Sequence, residues 1–245
     1  MKDEKQYTEG ISVKESSFLA WFDNFWYHYK WVTLVVAFFV IVISICVIQS
    51  CSQEPTDVLV TYAGPAYLKQ EQKVNIEKIF SKNIPDEISK DENAKAGLSA
   101  YYILSKEQIE EAQKQTEVDE NGDSYKVYVD TRFIAEEMEA FESQLMTGSG
   151  SVLLIDKSIY DSLVGENGNS QRLVPLAEVL GAKPEGAIGN FGIRLGDTEI
   201  YKNNMQLQCL PADTVLCLHA KILGQKDYDN EIAMFKAMAK IADGE

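Results

Sequence analysis

Trp31-Val-Thr-Leu-Val-Val-Ala-Phe-Phe-Val-Ile-Val-Ile-Ser-Ile-Cys-Val-Ile48 decides the architecture of this chain. Thirteen of these eighteen residues are Val, Ile, Leu or Phe, and no charge interrupts the run from Trp31 to Gln53. Eighteen helical residues rise roughly 27 Å, which approaches the hydrocarbon core of about 30 Å. A core helix of a soluble domain would carry polar residues on a solvent face; this run has none, so a single membrane span over residues 31–50 is expected. Each large apolar side chain at depth favours insertion by a few tenths of a kcal/mol, and the sum is several kcal/mol.

The flanks set the orientation. Lys14 and Lys30, with His28, precede the span, whereas residues 49–68 contain no Lys or Arg. The positive-inside rule then keeps residues 1–30 in the cytoplasm and exports the rest, from a short linker at 51–56 to a domain at 57–245. Phe18, Trp21, Phe22, Phe25, Trp26, Tyr27, Tyr29 and Trp31 crowd the entry to the span and include every tryptophan in the chain. Rings with an apolar body and a polar tip settle at the headgroup level, so Trp21, Phe22, Phe25, Trp26 and Trp31 are expected at the membrane interface. Phe18, Phe22, Phe25 and Tyr29 fall on one helical face, which predicts an interfacial helix that turns upward at Lys30. Ile48-Gln49-Ser50-Cys51 loosely resembles a lipoprotein processing site with Cys51 as the acylated residue. A cleaved signal, however, has a short basic n-region and about 7–15 apolar residues. The longer apolar run and the thirty-residue leader of mixed charge favour an uncleaved anchor.

The net charge of the chain is −15, of which residues 1–54 carry −2 and the remainder −13. Such a surface repels nucleic acid and anionic lipid, which excludes nucleic-acid partners, and it tolerates cations, cationic peptides and neutral solutes. About 190 residues suffice for one compact domain. Cys209 and Cys217 flank Pro211-Ala-Asp-Thr214 within Met205–Ala220, which reads as a hairpin. A three-residue loop would set the two cysteines opposite each other and permit a disulfide. A two- or four-residue loop would forbid it, and two buried thiols are the favoured expectation.

Elsewhere the apolar period alternates. Asp57–Tyr62 is a continuous apolar strand closed by Gly64-Pro65, and Glu71–Lys82 is helical with Ile76, Ile79 and Phe80 inward. Ala100–Leu104 is a short strand, and Ser105-x-x-Gln108 opens a helix with a capping box. Lys126–Asp130 reads as a strand. Ile134, Met138, Phe141 and Leu145 then mark a helix that stops at Gly148. Val152–Ile155 is a buried strand followed by a short helix from Ser158, and Phe191–Leu195 is a further strand. A final helix carries Tyr228, Ile232, Phe235 and Ala239 on one face. This alternation predicts helices packed on a mostly parallel sheet.

Asn24-Phe-Trp-Tyr-His-Tyr-Lys-Trp31, the strand from Asp57 to Pro65 and Leu195-Gly-Asp-Thr198 resemble a group of uncharacterised single-pass membrane proteins of Gram-positive anaerobes. That resemblance implies no activity. The helix Thr131–Gly148 leading into Ser151-Val-Leu-Leu-Ile-Asp156 is similar to the helix–strand step of extracellular solute-binding proteins of ABC importers. The two-lobed members are longer than this chain, so the implied version is a reduced one. The expected fold class is α/β: one N-terminal transmembrane helix followed by an extracytoplasmic α/β domain, reduced solute-binding-protein-like.

Catalytic constellations are sparse. The only histidines are His28 at the inner membrane edge and His219 in a strand, so no zinc pair or Ser-His-Asp triad assembles readily. Gly148-Ser149-Gly150 lacks the outer spacing of a nucleophile elbow, and Gly186-x-x-Gly189-x-x-Gly192 lacks the dinucleotide spacing. Asp119, Asn121, Asp123 and Asp130 stand at positions 1, 3, 5 and 12 of a calcium-loop frame. Ser124 replaces the loop glycine and Asp130 is shorter than the usual Glu, so a plain Asn-Gly turn is favoured over calcium.

The expectation is therefore a non-catalytic, membrane-anchored binding or sensing module. An accessory subunit of a membrane protein complex is the alternative, and a carboxylate-based hydrolase stands behind both. In open α/β sheets solutes bind beyond the carboxyl ends of strands, which here nominates Gly64, Tyr67, Thr131, Asp156 and Lys157. Asp156 with Lys157 would hold both ends of a zwitterion, and Tyr67 offers a flat face. Without a tryptophan beyond the span, a small zwitterionic solute or peptide fits better than a sugar. External protease on intact cells should release a fragment beginning near residue 54 while residues 1–30 stay protected. A mature chain that begins at a lipid-bearing Cys51 would replace the anchor with a lipoprotein.

Overall fold

The computed structural model describes residues 17–51, 56–88, 94–118 and 124–241. The chain separates into two units, Met1–Glu54 and Pro55–Glu245.

The described residues of the first unit form one helix, α1 (Ser17–Cys51). Its Phe25–Val47 stretch has 23 residues, a mean hydropathy of 2.6 and no buried residue, so it is long and apolar enough to cross a membrane as an anchor or signal sequence does. The turn expected at Lys30 is absent: the helix runs through it unbroken. No Pro or Gly lies between Ser17 and Cys51 to interrupt the backbone ladder, so nothing local forces a bend. At 1.5 Å per residue, thirty-five residues reach about 52 Å, well beyond the hydrocarbon thickness.

The second unit is a mixed α/β layer structure. Its strands are β1 (Val58–Gly64), β2 (Ala96–Tyr102), β5 (Val152–Ile155), β7 (Val215–Leu218) and β6 (Gly192–Arg194), and they form one sheet in the order β2-β1-β5-β7-β6. β1 runs parallel to both β2 and β5, and β7 runs antiparallel to β5 and β6. Between β2 and β5 lie α3 (Lys106–Lys114), a separate hairpin of β3 (Thr116–Val118) with β4 (Ser124–Lys126), and α4 (Thr131–Thr147). The remaining helices are α2 (Gln70–Lys82), α5 (Lys157–Val164), α6 (Leu176–Leu180), α7 (Glu199–Lys202) and α8 (Tyr228–Met238).

Strand alternation sorts the core into two faces. Val58, Val60 and Tyr62 of β1 pack with Ile76, Ile79 and Phe80 of α2 and Met234, Phe235 and Met238 of α8. On the opposite face Ala63 of β1, Leu153 and Ile155 of β5 and Cys217 of β7 meet Phe141 and Leu145 of α4 and Ile159 and Tyr160 of α5. Each large apolar side chain fully buried in these clusters contributes roughly 1.5–3 kcal/mol.

Local signals behave as their chemistry dictates. Ser105 Oγ accepts the Gln108 N–H at 3.2 Å and Gln108 Oε1 accepts the Ser105 N–H at 2.8 Å, completing the capping box of α3. Gly148 closes α4 in the left-handed region at φ 71°.

Two further expectations fail. Met205–Ala220 is not a hairpin: Met205–Cys209 is a 3₁₀ helix, and β7 pairs with β5 and β6 instead. Met205, Leu207 and Cys209 alternate with glutamines as strand residues do, but within 205–210 the buried residues are Leu207 and Leu210, a spacing of three that suits the 3₁₀ turn. Cys209 and Cys217 are both free thiols, and full burial raises the Cys217 pKa far above the ordinary thiol value. Lys126–Asp130 is not a strand beyond Lys126; residues 127–130 lead irregularly into α4, where the Asp130 carboxylate caps the helix.

Thr61 is the one polar residue in the buried middle of β1, and a network satisfies it. Thr61 Oγ1 donates to the Gly150 carbonyl at 3.0 Å and accepts from Gln144 Nε2 at 2.6 Å. Gly150 sits at φ 74°, and a Cβ there would collide with Thr61 Oγ1 and lie 3.0 Å from Gln144 Nε2. Gly150→Ala should therefore destabilise the fold by about 2 kcal/mol or more through combined strain and clash. Urea denaturation would check this, and a change within about 0.5 kcal/mol would contradict the packing described.

Candidate functional site

The carboxyl end of β1 is where the chain divides. After β1 it turns to α2 on one face of the sheet; after β2 it passes through α3 and the small hairpin to α4 on the other. Adjacent strands whose following connections leave for opposite faces open a crevice at their carboxyl ends. A cleft of about 170 Å³ lies there, lined by Ala66, Tyr67, Leu68 and Lys73 from the β1 side and by Ala100, Tyr101, Tyr102, Phe133 and Glu137 from β2 and α4.

Each wall is held from behind. The buried Tyr62 hydroxyl accepts the Ala66 N–H at 2.8 Å and so fixes the chain that leaves β1. Burial raises the Tyr62 phenol well above its ordinary pKa, so it stays neutral. A Cβ on Gly64 would lie 2.8 Å from that same oxygen, so glycine there leaves room for the tyrosine. Gln72 Oε1 accepts the Lys69 N–H at 2.9 Å, fixing the start of α2, which carries Lys73. On the far wall Glu137 Oε2 accepts the Tyr102 N–H at 3.0 Å. Tyr67 and Tyr102 meet edge to face, with ring centroids 5.8 Å apart and planes at 84°. Tyr101 packs on Phe141 at 5.8 Å and donates its hydroxyl to Gln144 Oε1. Burial, and then the negative charge of Glu137, raise the Tyr101 pKa.

Of the five nominated binding residues, Tyr67 alone lines this cleft. Gly64 sits just before its wall, and its carbonyl accepts the Ile103 N–H. Thr131 is the exposed first residue of α4, the helix whose Phe133 and Glu137 form the wall. Asp156 Oδ1 accepts the Ser158 N–H and hydroxyl at 2.8 and 2.6 Å and so caps α5, while its Oδ2 accepts from Gln108 Nε2 at 3.3 Å. Lys157 pairs with Asp161 at 2.7 Å on the exposed surface of the same helix. Asp156 and Lys157 are thus fittings of a helix N-terminus, apart from the cleft. Lys73, Tyr101, Tyr102, Phe133 and Glu137 were missed. Phe133 carried the one usable signal: it is an aromatic residue standing outside the Ile134–Leu145 stripe, and it is 40 % exposed.

Asp119, Asn121 and Asp123 lie outside the described residues. Asp130 Oδ1 accepts the N–H groups of Arg132 and Phe133, each at 3.1 Å. Among the described residues no group of three or more His, Cys, Asp or Glu side chains gathers as a metal site. Of the interface aromatics, the side chains of Trp21 and Phe22 are not described. Phe25 is half-buried and packs on Tyr29 at 5.4 Å, and Trp26 and Trp31 are exposed. His219 is buried in a bridge to Leu173, and burial lowers its pKa.

A second ionisable group lies at the amino edge of the sheet. Glu231 of α8 is 5 % exposed; its Oε1 accepts the Gly150 N–H at 3.2 Å and its Oε2 accepts from Gln225 Nε2 at 2.7 Å. Gln225 Nε2 also donates to Ser151 Oγ at 2.8 Å. Burial raises the Glu231 pKa; hydrogen bonds from Ser151 and Gly150 oppose that shift, and the charge of Asp227 adds to it. This group ties α8 to the loop that enters β5.

The chain matches no protein-family model, no curated protein and no solved structure.

A carboxyl group whose pKa is higher in the folded than in the unfolded state holds its proton more tightly in the fold. The fold is then relatively stabilised in acid and loses that advantage as pH climbs from the ordinary carboxylate range through the raised value. Denaturation of wild type and Glu231→Gln at stepped pH should show the wild type losing ground across that window. A pH-independent difference between the two would mean that Glu231 titrates normally.

Proposed function

We propose that this chain is a membrane-anchored, non-catalytic binding or sensing module whose extracytoplasmic domain takes a small zwitterionic solute or short peptide in the cleft above β1 and β2. One observation carries the proposal: aromatic rings, a carboxylate and an ammonium converge at the divide between two crossovers. The perpendicular rings of Tyr67 and Tyr102 form a corner, and a cation gains about 0.5–2 kcal/mol against such ring faces. Glu137 adds a formal countercharge for the cationic end, and Lys73 one for the anionic end. The strongly acidic composition of the domain favours approach of a ligand through its cationic end.

Size narrows the ligand. A dry cavity of about 150 Å³ holds benzene, and drug-like ligands occupy roughly 300–1,000 Å³. The cleft therefore suits a single amino acid or one residue of a peptide, with anything larger extending into solvent. Its partners in this reading are the bilayer around Phe25–Val47 and a solute; anchoring by α1 keeps the domain at the membrane surface.

Thermal shift and calorimetry of the full chain in nanodiscs, against amino acids and short peptides, would test this. Saturable stabilisation is expected, with affinity falling about tenfold or more in Tyr67→Ala and Glu137→Gln variants that melt as wild type does. A panel in which nothing binds would remove the proposal.

A further inference from the structure

Among the described residues β2 is an edge strand, paired only with β1. Along such a strand, successive residues turn their N–H and C=O groups alternately toward the neighbour and toward the open edge. Here the odd positions face β1: the Lys95 carbonyl accepts the Asp57 N–H at 2.9 Å, and the Ile103 N–H donates to the Gly64 carbonyl at 3.0 Å. The even positions, Ala96, Leu98, Ala100 and Tyr102, therefore face outward.

Three of those four outward N–H groups are taken by side chains. Ala96 donates to Ser81 Oγ at 2.9 Å, Leu98 to Glu77 Oε1 at 3.1 Å and Tyr102 to Glu137 Oε2 at 3.0 Å. The Ala100 N–H finds no acceptor and its carbonyl no donor among the described residues. Ala100 is half-buried and lines the cleft. This half-buried backbone pair opens into the cleft, whereas the other outward N–H groups of the strand are closed by side chains.

We infer that the ligand carries a peptide backbone and adds one residue to the edge of β2. A carbonyl or terminal carboxylate of the ligand accepts the Ala100 N–H, and a ligand N–H or ammonium donates to the Ala100 carbonyl. The side chain of that residue then lies against Tyr67 and Tyr102. The inference rests on the cleft being the binding site and narrows its ligand from zwitterions in general to peptides and amino acids. The capped N–H groups at Leu98 and Tyr102 limit the added strand to about one residue, which sets this apart from pairing along a whole open edge.

Tri-alanine and betaine (a zwitterion without any N–H) serve as probes on the full chain in nanodiscs. Ala100→Pro removes the N–H at an edge position, where proline with its nitrogen facing outward is tolerated. The expected result is that tri-alanine binds, betaine binds at least about tenfold more weakly, and Ala100→Pro lowers tri-alanine affinity about tenfold with its melting midpoint kept. Equal binding of both probes, or full tri-alanine affinity in Ala100→Pro, overturns the edge pairing. If Tyr67→Ala and Glu137→Gln still weaken binding in that case, the cleft itself stands. Should Ala100→Pro fail to fold, amide exchange in the wild-type chain decides. Tri-alanine must slow exchange at Ala100 and leave the capped Ala96 unchanged, and no slowing at Ala100 overturns the inference. If neither probe nor any other peptide binds, the cleft reading falls as well.

Discussion

The double-sided burial of β1 is the constraint on which the rest of the second unit depends. Val60, Tyr62 and Ala63 are fully buried, and both neighbouring strands run parallel to β1. Parallel neighbours cannot be joined by tight turns, so the chain must leave the carboxyl end of β1, cross a face and return, and then do so again from β2 to β5. Covering both faces of β1 requires those two crossovers to lie on opposite sides. Their divergence above β1 and β2 opens the cleft. The candidate site is in that sense a geometric consequence of burying one strand completely.

That burial creates a polar problem, which the network around Thr61 resolves. Gln144 reaches back from α4 to Thr61 and the Ser149 carbonyl, and Thr61 donates to the Gly150 carbonyl. Gly150 in turn donates its N–H to Glu231, and Tyr101 donates to Gln144 from the cleft side. From Tyr101 to Glu231 every donor points the same way, toward the carboxylate. A buried chain of this kind fixes the relative positions of α4, β1, β5 and α8 because breaking any link strands a buried polar atom, at a cost of about 1–3 kcal/mol.

The parts legible in the sequence were those with strong local chemistry. The Trp31–Ile48 run, the Ser105 capping box, the apolar β1 and the Ile134–Leu145 stripe each impose a structure through contacts within a few residues. The misreadings have local causes too. Met205–Cys209 alternates like a strand, yet only the spacing of Leu207 and Leu210 relates to burial. Lys30 looked like a corner, but charge does not bend a helix without a break in its hydrogen-bond ladder. The residues of the candidate site were harder because they meet through tertiary geometry. Asp156 and Lys157 drew notice as a charged pair at a strand end, but the short helix that follows uses both for its own first turn. Tyr101 and Tyr102 fall inside the short strand read over Ala100–Leu104, with nothing local to set them apart. Adjacent in sequence, they lie on opposite sides of β2, and only the last residue of the strand meets Tyr67.

The treatment of the β2 edge bears on whether the cleft is a site or a packing fault. An exposed edge invites association with other chains, and proteins blunt it with side chains, charges or covering helices. Ser81 and Glu77 from α2 and Glu137 from α4 do this for Ala96, Leu98 and Tyr102. A packing fault would leave the edge open where no helix reaches it. Here residues from both helices line the gap: Lys73 lies one turn before Glu77 on α2, and Glu137 on α4 caps the next outward N–H while bordering the opening itself. The side chains that could have closed the Ala100 position are thus spent on its neighbours or replaced by rings and a lysine. Closing that position would take only a hydroxyl or carboxylate reaching from either helix, as happens at every other outward N–H of the strand. The outward N–H groups of this edge are closed at Ala96, Leu98 and Tyr102 and open at Ala100, where aromatic rings gather, which is the arrangement the proposed one-residue pairing requires.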